Sequence, residues 1–310
     1  GGALRLIRPQ THAALESQGT CAAPGHGVLA LLQTPMPAGP HPLPARHHPR
    51  PRTQGPHMTR PTLSVIIITK NEAELIGQCL ESVKWADEII VVDSGSTDDT
   101  VNICRRYTDK VLVTDWPGFG PQKNRALAMA TGNWVLSIDA DEEVTPTLAE
   151  EIRKTLTAPT AAGYTLARLS SYCGRFMKHS GWWPDPVLRL FKRDTGSFTD
   201  ARVHERVVVN GHIDALNETL LHHSYRSLDQ VLSKVNHYSH ESALALKAKG
   251  RRAGLSTAIG HGLWTFFRTY ILKRGFLDGR EGFILAASNA EGTYYRYLKL
   301  MYLHESDRQR

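Results

Sequence analysis

The sequence predicts an α/β fold in which helices cover both faces of a mostly parallel sheet. Segments with the character of strands and helices alternate four times between residues 63 and 156. The strand segments are apolar throughout, as strands buried on both faces are, and short polar clusters follow three of them. Because ligands bind at the carboxyl ends of the strands in such sheets, these clusters predict a binding site along that edge.

The first strand and helix span residues 63–83. The run LSVIIIT, residues 63–69, is apolar and β-branched, which favours a strand. Residues 71–83 carry apolar side chains at 75, 76, 79, 80 and 83, the spacing of one helical face. Asn71 is predicted to cap this helix, with Glu74 at its third position.

Three more strand–helix units follow. Strands are predicted at residues 88–93, 110–115 and 133–139. The predicted helices are 96–107, capped by Ser96 or Thr97, then 121–130, with Pro121 at its first position, and 145–156, with a threonine cap before Pro146. This alternation is typical of a parallel sheet covered on both faces.

Composition divides the chain into three parts. Residues 1–57 hold ten of the 17 prolines and no sustained periodicity, which predicts a disordered extension with Met58 as the expected start. Residues 58–225 form the predicted α/β domain, whose second half has shorter strands and an Asn-Gly hairpin signal at 210–211. Residues 226–310 form a predicted helical region that begins with a capping box at Ser227.

Charge is unevenly distributed along the chain. Residues 226–310 hold 14 Lys and Arg against seven Asp and Glu, whereas residues 58–225 carry a net charge of −4. The basic end indicates an anionic partner, either a membrane surface or a nucleic acid.

No run of 18 uncharged apolar residues occurs, so no spanning helix is predicted. The four cysteines form no CxxC pair, which argues against a zinc knuckle and favours free thiols in a reducing cytoplasm.

The segment NWVLSIDADEEV, residues 133–144, ends an apolar strand on Asp139 and Asp141. Two carboxylates at this spacing suit Mg²⁺ or Mn²⁺, and a nucleotide diphosphate would fill the positions that the protein leaves open. Asp93 follows another apolar strand, where its carboxylate can accept a hydrogen bond from a base or a ribose hydroxyl; simple helix capping is the alternative. A solvated acidic loop is the corresponding alternative for Asp139 and Asp141.

Two common nucleotide-binding motifs do not occur in the chain. No GxGxxG follows the first strand, which argues against a dinucleotide-dependent dehydrogenase. No Walker A motif occurs either, which argues against a P-loop kinase.

Three segments resemble the nucleotide-sugar-binding half of family 2 glycosyltransferases, which have the GT-A fold: residues 63–83, 89–100 and 132–144. The resemblance implies a nucleoside pocket and a metal-binding DxD motif. It also makes the segment GFGPQKNRAL, residues 118–127, a neighbour of the donor, with helix-surface charge as the alternative. The residues implied are Thr69, Asn71, Glu72 and Asp93 for the nucleoside, Asp139 and Asp141 for the metal and the donor, and Lys123, Asn124 and Arg125 near the donor.

Later segments resemble the β-glucosyltransferase branch of lipopolysaccharide core biosynthesis: residues 181–211, 220–239 and 270–286. This resemblance implies a metal-dependent, inverting transfer from a UDP-sugar, with UDP-glucose expected, to a lipid-linked saccharide, with an inner-core heptose expected. Other surface glycans and polyprenyl phosphate are alternative acceptors. A non-catalytic nucleotide-binding scaffold is an alternative function from another class of protein. A nucleic-acid-binding function is disfavoured because the sequence contains no recognisable nucleic-acid-binding module.

Transfer with inversion needs a base that removes the proton from the acceptor hydroxyl group. Many family 2 enzymes place this base in a Glu-Asp pair, and the second half of this domain has none. Glu205, in the segment VHE, is the candidate base, with Asp200 and Asp185 as alternatives. His204 can orient the base or approach the donor, and Arg189 can pair with phosphate or with a neighbouring acid. His222 and His223 can each supply a metal ligand or a donor to the pyrophosphate, and His222 is the one predicted to bind the metal. For these histidines an ordinary surface or hydrogen-bonded role is the alternative.

Aromatic and basic residues mix in LWTFFRTYILKRGF, residues 263–276. This mixture is typical of an interfacial helix on an anionic leaflet. A helix packed against the α/β domain is the alternative. We therefore expect a cytoplasmic enzyme peripherally associated with the inner membrane.

Overall fold

The computed structural model describes residues 60–200 and 206–308 of the chain. The predicted disordered extension, residues 1–57, lies outside these ranges. So do two candidate site residues, His204 and Glu205. Within the described ranges, no helix combines the length and the apolar composition needed to cross a membrane.

Strands and helices alternate through the first half as predicted. The strands are β1 Leu63–Thr69, β2 Glu88–Asp93, β3 Val111–Val113, β4 Trp134–Asp139 and β5 Glu142–Val144. The helices between and after them are α1 Ile76–Val83, α2 Thr100–Arg105, α3 Phe119–Met129 and α4 Pro146–Thr157.

Among its described residues, the second half adds six strands and three long helices. The strands are β6 Gly163–Tyr172, β7 Arg175–Phe176, β8 Pro186–Lys192, β9 Gly196–Phe198, β10 Val207–Val209 and β11 Ile213–Tyr225. The helices are α5 Leu228–Ala248, α6 Leu255–Phe267 and α7 Gly279–Arg308. A π-helical turn, Arg268–Leu272, and a 3₁₀ turn, Gly275–Asp278, connect α6 to α7.

One large sheet has the strand order β3-β2-β1-β4-β8-β6-β11-β5, with β7 paired to β6. The first four strands of this order are parallel to one another, as the sequence predicts. β8 runs antiparallel to both β4 and β6, and β11 is parallel to β6. The carboxyl ends of β1, β2, β4, β6 and β11 therefore all meet at one edge, called here the carboxyl edge.

Helices pack on both faces of this sheet, which confirms the predicted α/β architecture. On one face, Val65 and Ile67 of β1 join the core formed with α1, α2 and α4. On the other face, Ile66 packs with Ala126 and Ala130 at and just after α3. Successive residues of a strand point to opposite faces, so an uninterrupted apolar strand needs cover on both.

The predicted starts of the first two helices are wrong. α1 begins at Ile76 because Asn71 takes a left-handed conformation with φ of 54°, and its side chain accepts from the Thr97 N–H instead of capping α1. α2 begins at Thr100, whose N–H donates to Asp98. The residues predicted to form the first turns of these helices instead form two loops at the carboxyl edge, and hydrogen bonds join one loop to the other.

The C-terminal helices share a core with the loops at the carboxyl edge. Tyr172, Trp182 and Tyr225 pack with side chains from α5 and α7, and the Tyr172 hydroxyl lies 3.1 Å from Ser288 Oγ of α7. The sequence predicts a helical region from residue 226, and these contacts attach that region to the carboxyl edge of the sheet.

Glu88, at the start of β2, holds three elements together. Its carboxylate accepts hydrogen bonds from Ser64 Oγ, Lys110 Nζ, and the backbone and hydroxyl of Thr131. Burial alone would raise the pKa of Glu88, but these bonds outweigh it and lower the pKa to about 2. The carboxylate therefore stabilises the fold above the ordinary glutamate pKa, and this contribution is lost as the pH falls toward 2.

We expect Glu88→Gln to lower the free energy of unfolding by about 2 kcal/mol at pH 7. The difference from wild type should stay constant from about pH 8 to pH 5 and shrink below about pH 4.5, where the unfolded state begins to take up a proton. Urea unfolding across this pH range measures it. Glu81→Gln, which removes an exposed pair with Lys84, is the control and should cost at most about 0.5 kcal/mol. A Glu88→Gln penalty unchanged at pH 3 would contradict the assigned pKa.

Candidate functional site

The turn after β2 is organised by Asp93. This carboxylate is fully buried and accepts hydrogen bonds from Gly95 N at 2.9 Å, Ser96 N at 2.8 Å and the Ser96 hydroxyl. Gly95 has φ of 79°, a conformation that glycine adopts without strain. Ser96 in turn accepts from Asn71 N at 2.8 Å. Asp93 thus shapes the turn at the carboxyl edge, and its direct contact with a nucleoside stays a prediction.

Two buried oxygens next to this turn have no hydrogen-bond partner within the described residues. They are Thr69 Oγ1, at the end of β1, and Glu72 Oε2. Burial and the negative charge of Asp141 raise the pKa of Glu72. A buried polar atom without a partner is costly, so both atoms indicate a ligand that completes their contacts.

Asp139, at the end of β4, is surrounded by positive charge. Its carboxylate pairs with Lys123 Nζ at 3.0 Å and with Arg189 Nη2, and its N–H donates to Glu142. Burial would raise the pKa of Asp139, but Arg189 and Lys123 outweigh it and hold the pKa well below its usual range. In this arrangement Asp139 orders two cations at the carboxyl edge.

A buried ion network lies beneath Asp139. Glu142 Oε1 accepts from Arg168 Nη1 at 3.1 Å and from Arg189 Nη2 at 2.5 Å, and Arg168 also donates to Asp185 Oδ2 at 3.1 and 3.2 Å. Arg189 therefore pairs with neighbouring acids in this structure, and its contact with phosphate stays a prediction. Asp185 is only 1% exposed, which favours a structural role for it over acceptance of a proton from a substrate.

Glu142→Gln is expected to lower the free energy of unfolding by about 3–5 kcal/mol, because it leaves two buried guanidinium groups short of one negative charge. Glu143→Gln is the matched control on the next residue. Glu143 is partly exposed and pairs with His223 at 3.1 Å, so its loss should cost about 1 kcal/mol or less. Denaturant unfolding of both variants measures the difference, and equal penalties would contradict a special role for the buried network.

Asp141 and His222, both predicted as metal ligands, pair with each other. Asp141 Oδ2 is 3.2 Å from His222 Nε2, and His222 Nδ1 is 2.9 Å from Ser170 Oγ. Burial would raise the pKa of Asp141, but His222 outweighs it and lowers the pKa. A carboxylate and an imidazole are both ligands of divalent cations, so this pair would fit a metal ion that takes its other ligands from elsewhere.

The described residues contain no group of three or more His, Cys, Asp or Glu side chains gathered as a metal site. Asp141 and His222 would supply two ligands, while Asp139 is engaged by Lys123 and Arg189. A site with two protein ligands suits a metal that takes its remaining ligands from water and phosphate. Coordination by Asp139 stays a prediction.

Of the three candidates on α3, only Lys123 contacts Asp139. Asn124 pairs with the backbone of Phe198, donating at 2.8 Å and accepting at 2.9 Å. Arg125 donates to Asp115 Oδ1 at 2.8 Å. The contacts of Asn124 and Arg125 therefore fix α3 to its neighbours, in line with the alternative of ordinary helix charge.

His223 and Asp200 are placed differently from His222. His223 N donates to the Asp141 carbonyl at 2.8 Å, while its ring pairs with Glu143. Asp200 is exposed and follows Thr199, whose N–H donates to the Arg206 carbonyl at 3.0 Å. That pair brings together the two ends of the segment that contains His204 and Glu205.

Lys234 of α5 is a site residue that the sequence did not indicate. Its Nζ lies 4.4 Å from the centre of the Tyr225 ring. Burial lowers the pKa of Lys234, while the charges of Asp141 and Glu72 oppose that shift. Lys234 is thus a cation of α5 that the charges of Asp141 and Glu72 influence.

Comparison with known proteins gives consistent results. The family model described as glycosyl transferase family 2 matches residues 64–218. An uncharacterized glycosyltransferase of Rickettsia felis is 34% identical over 79% of this chain and 90% of its own length. LpsC, a lipopolysaccharide core biosynthesis glycosyltransferase of Rhizobium meliloti, is 31% identical over 78% of this chain and 93% of its own.

Solved structures with similarity to this chain include S. aureus TarS 1-349 in complex with UDP-GlcNAc. Its TM-score is 0.41 at 16% identity, over 80% of this chain and 92% of that one. Glucosyl-3-phosphoglycerate synthase of Mycobacterium tuberculosis, in complex with Mn²⁺, UDP and glucosyl-3-phosphoglycerate, has a TM-score of 0.35 at 22% identity, over 43% of this chain and 57% of that one.

Proposed function

Because the chain belongs to glycosyl transferase family 2, we propose that this enzyme transfers glucose from UDP-glucose to a heptose of the lipopolysaccharide inner core, with inversion at the anomeric carbon. The core acceptor is supported by the similarity to LpsC. The donor class is supported most directly by the two buried oxygens without partners, on Thr69 and Glu72. They lie at the carboxyl edge, where an α/β sheet binds its ligand.

In this mechanism the two sides of the carboxyl edge have separate tasks. The turns that carry Thr69, Glu72 and Asp93 bind the nucleoside. Lys123 and Lys234 attract the diphosphate; Asp139 holds Lys123 in position, and Arg189 holds Asp139. Such positioning is an advantage because the reacting groups are already oriented when the donor arrives.

A Mg²⁺ or Mn²⁺ ion held by Asp141 and His222 would stabilise the negative charge of the departing diphosphate. The acceptor hydroxyl oxygen attacks the anomeric carbon from the face opposite the diphosphate, and the bond to the diphosphate oxygen breaks. A base, for which Glu205 is our candidate, takes the hydroxyl proton. We further propose that the acceptor is held by the cytoplasmic leaflet of the inner membrane and that the enzyme binds there peripherally.

A panel of UDP- and GDP-sugars tests the proposed function. The purified chain is incubated with each donor and Mn²⁺, together with a heptose-containing core saccharide, with polyprenyl phosphate, or with no acceptor. We expect UDP release from UDP-glucose that rises several-fold with the core saccharide. Transfer to polyprenyl phosphate alone would overturn the acceptor, turnover of GDP-sugars alone would overturn the donor, and binding without turnover of any donor would favour a scaffold.

A further inference from the structure

The C-terminal helices expose a group of large apolar side chains, called here the apolar face. Each of its members is 43–68% exposed. They come from α6 and from the two short turns that follow it: Leu255, Ile259, Leu263, Trp264, Phe267, Ile271, Leu272, Phe276 and Leu277. Scattered exposed apolar residues are normal in proteins, but a concentration in one 23-residue stretch indicates an interaction surface.

The apolar face arises because α6 is apolar on more than its packed side. Helix α6 contains no Lys, Arg, Asp or Glu. It packs against α7 through small residues, Ala258 and Gly262, and a Cβ added at Gly262 would lie 3.3 Å from the Tyr294 Cβ. Leucine, isoleucine and phenylalanine at 255, 259, 263 and 267 recur every four residues, so they form a stripe on the side that α7 leaves uncovered.

Positive charge surrounds the apolar face. Residues 242–277 contain seven Lys and Arg and no Asp or Glu. Exposed Arg251 and Arg252 precede α6, and Arg268 and exposed Arg274 follow it. Apolar and aromatic side chains bordered by cations are complementary to the acyl boundary and the headgroups of an anionic leaflet.

We infer that the apolar face docks onto an anionic lipid bilayer, with α6 lying in the plane of the interface. Its 13 residues correspond to about 20 Å of helix, less than the ~30 Å of a hydrocarbon core, so insertion is shallow. A symmetric dimer through the same face would bring this all-basic segment close to its own copy, and like charges oppose such contact. This inference rests on the proposed function in that it names the surface that meets a membrane-held acceptor.

Asp278 links the apolar face to the carboxyl edge. It follows Phe276 and Leu277 directly, and its buried carboxylate accepts hydrogen bonds from Lys178 N at 3.1 Å and His179 N at 3.0 Å. Those residues follow β7, where the Phe176 ring contacts His223, the residue bonded to the Asp141 carbonyl. A bilayer bound at the apolar face is therefore joined to the site through one short chain of contacts.

Sedimentation of the full chain with lipid vesicles tests this inference without any sugar donor or acceptor. Vesicles of phosphatidylcholine alone are compared with vesicles containing about 30% phosphatidylglycerol, at low and high salt. We expect strong binding to the anionic vesicles at low salt, weaker binding at high salt, where the Debye length is short, and the weakest binding to neutral vesicles. Failure to bind vesicles, together with normal turnover of soluble substrates, would overturn the docking surface and leave the proposed sugar transfer intact.

Two double variants separate the apolar and ionic contributions. Leu263→Gln with Trp264→Gln should weaken binding at both salt concentrations, because it removes buried apolar area. Arg268→Gln with Arg274→Gln should weaken binding about thirtyfold at low salt and little at high salt, since each basic residue at an anionic surface contributes about fivefold. The matched controls are Val208→Gln for exposed apolar residues and Arg105→Gln with Arg106→Gln for exposed cations, and both should bind like wild type.

Two results would overturn the inference. One is binding of either face variant to anionic vesicles at low salt that equals wild type. The other is a wild-type dimer in sedimentation velocity without vesicles that becomes a monomer in Leu263→Gln with Trp264→Gln, which would assign the face to a second copy of the chain.

Discussion

Replacement of Asp141 by asparagine is expected to lower the transfer rate on the order of a thousandfold while the protein keeps its fold. The substitution removes a negative charge but leaves an oxygen that can still accept a hydrogen bond from His222, 3.2 Å away in the wild type. Stabilisation of a departing diphosphate by a bound divalent cation contributes several kcal/mol to catalysis. The loss should therefore appear in transfer and in metal-dependent donor binding rather than in stability.

Calorimetry of UDP binding, with and without Mn²⁺, measures the metal-dependent part directly. Wild type should bind UDP more tightly with Mn²⁺, and Asp141→Asn should lose most of this gain. Asp194→Asn, which changes a carboxylate 82% exposed on the surface, is the matched control and should behave like wild type. Equal UDP affinity of wild type and Asp141→Asn, both with and without Mn²⁺, would show that Asp141 holds no metal against the diphosphate.

The sequence predicted the sheet well because its strands are apolar runs with few alternatives. Residues 63–69, 88–93 and 133–139 form strands close to their predicted limits. Their polar ends meet because parallel strands share one edge, so the predicted meeting of Thr69, Asp93 and Asp139 follows from topology. The helix starts at Asn71 and Ser96 failed because tertiary hydrogen bonds between the two loops replaced the local capping bonds.

The sequence does not show which glutamate of the acidic run after β4 is buried and which is exposed. Glu142 and Glu143 are adjacent and identical, yet Glu142 is 1% exposed in an ion network while Glu143 is partly exposed. Side chains of a strand alternate between faces, and only the pairing of β5 with β11 fixes which glutamate faces inward. Its cationic partners, Arg168 and Arg189, come from distant strands, so no local pattern indicated the network.

Lys234 was missed for a related reason. It lies on α5, in the basic helical region whose charge we assigned as a whole to an anionic surface. The core around Tyr172 and Tyr225 brings the start of α5 to the carboxyl edge, and this places one of its lysines near Asp141 and Glu72. Net charge over a long segment cannot separate a cation at the site from one at the membrane.

Glu205→Gln is expected to lower the transfer rate by about 10²–10⁴ while leaving UDP affinity unchanged, because it removes a proton acceptor and no donor contact. Two other carboxylates near the carboxyl edge have partners that occupy them. Asp185 is bound by Arg168 and Glu143 by His223. Glu205 itself lies outside the described residues, but it precedes Arg206, whose carbonyl accepts from Thr199 N. A Cβ added at Gly120 of α3 would lie 1.9 Å from the Thr199 carbonyl oxygen, so this pair is close to the helix that carries Lys123.

The experiment compares Glu205→Gln with Asp200→Asn and Asp185→Asn in kcat, donor KM, UDP affinity and thermal unfolding. Loss of the base should lower kcat alone, because donor contacts and the fold are unchanged. Asp185→Asn should instead lower the melting temperature, since it leaves Arg168 short of a partner in a buried network, and any fall in its rate should follow that loss of stability. Near-normal turnover in Glu205→Gln, together with an inactive but stable Asp200→Asn, would transfer the role of the base to Asp200. An Asp185→Asn variant that melts like wild type yet does not turn over would make Asp185 the base, despite its burial.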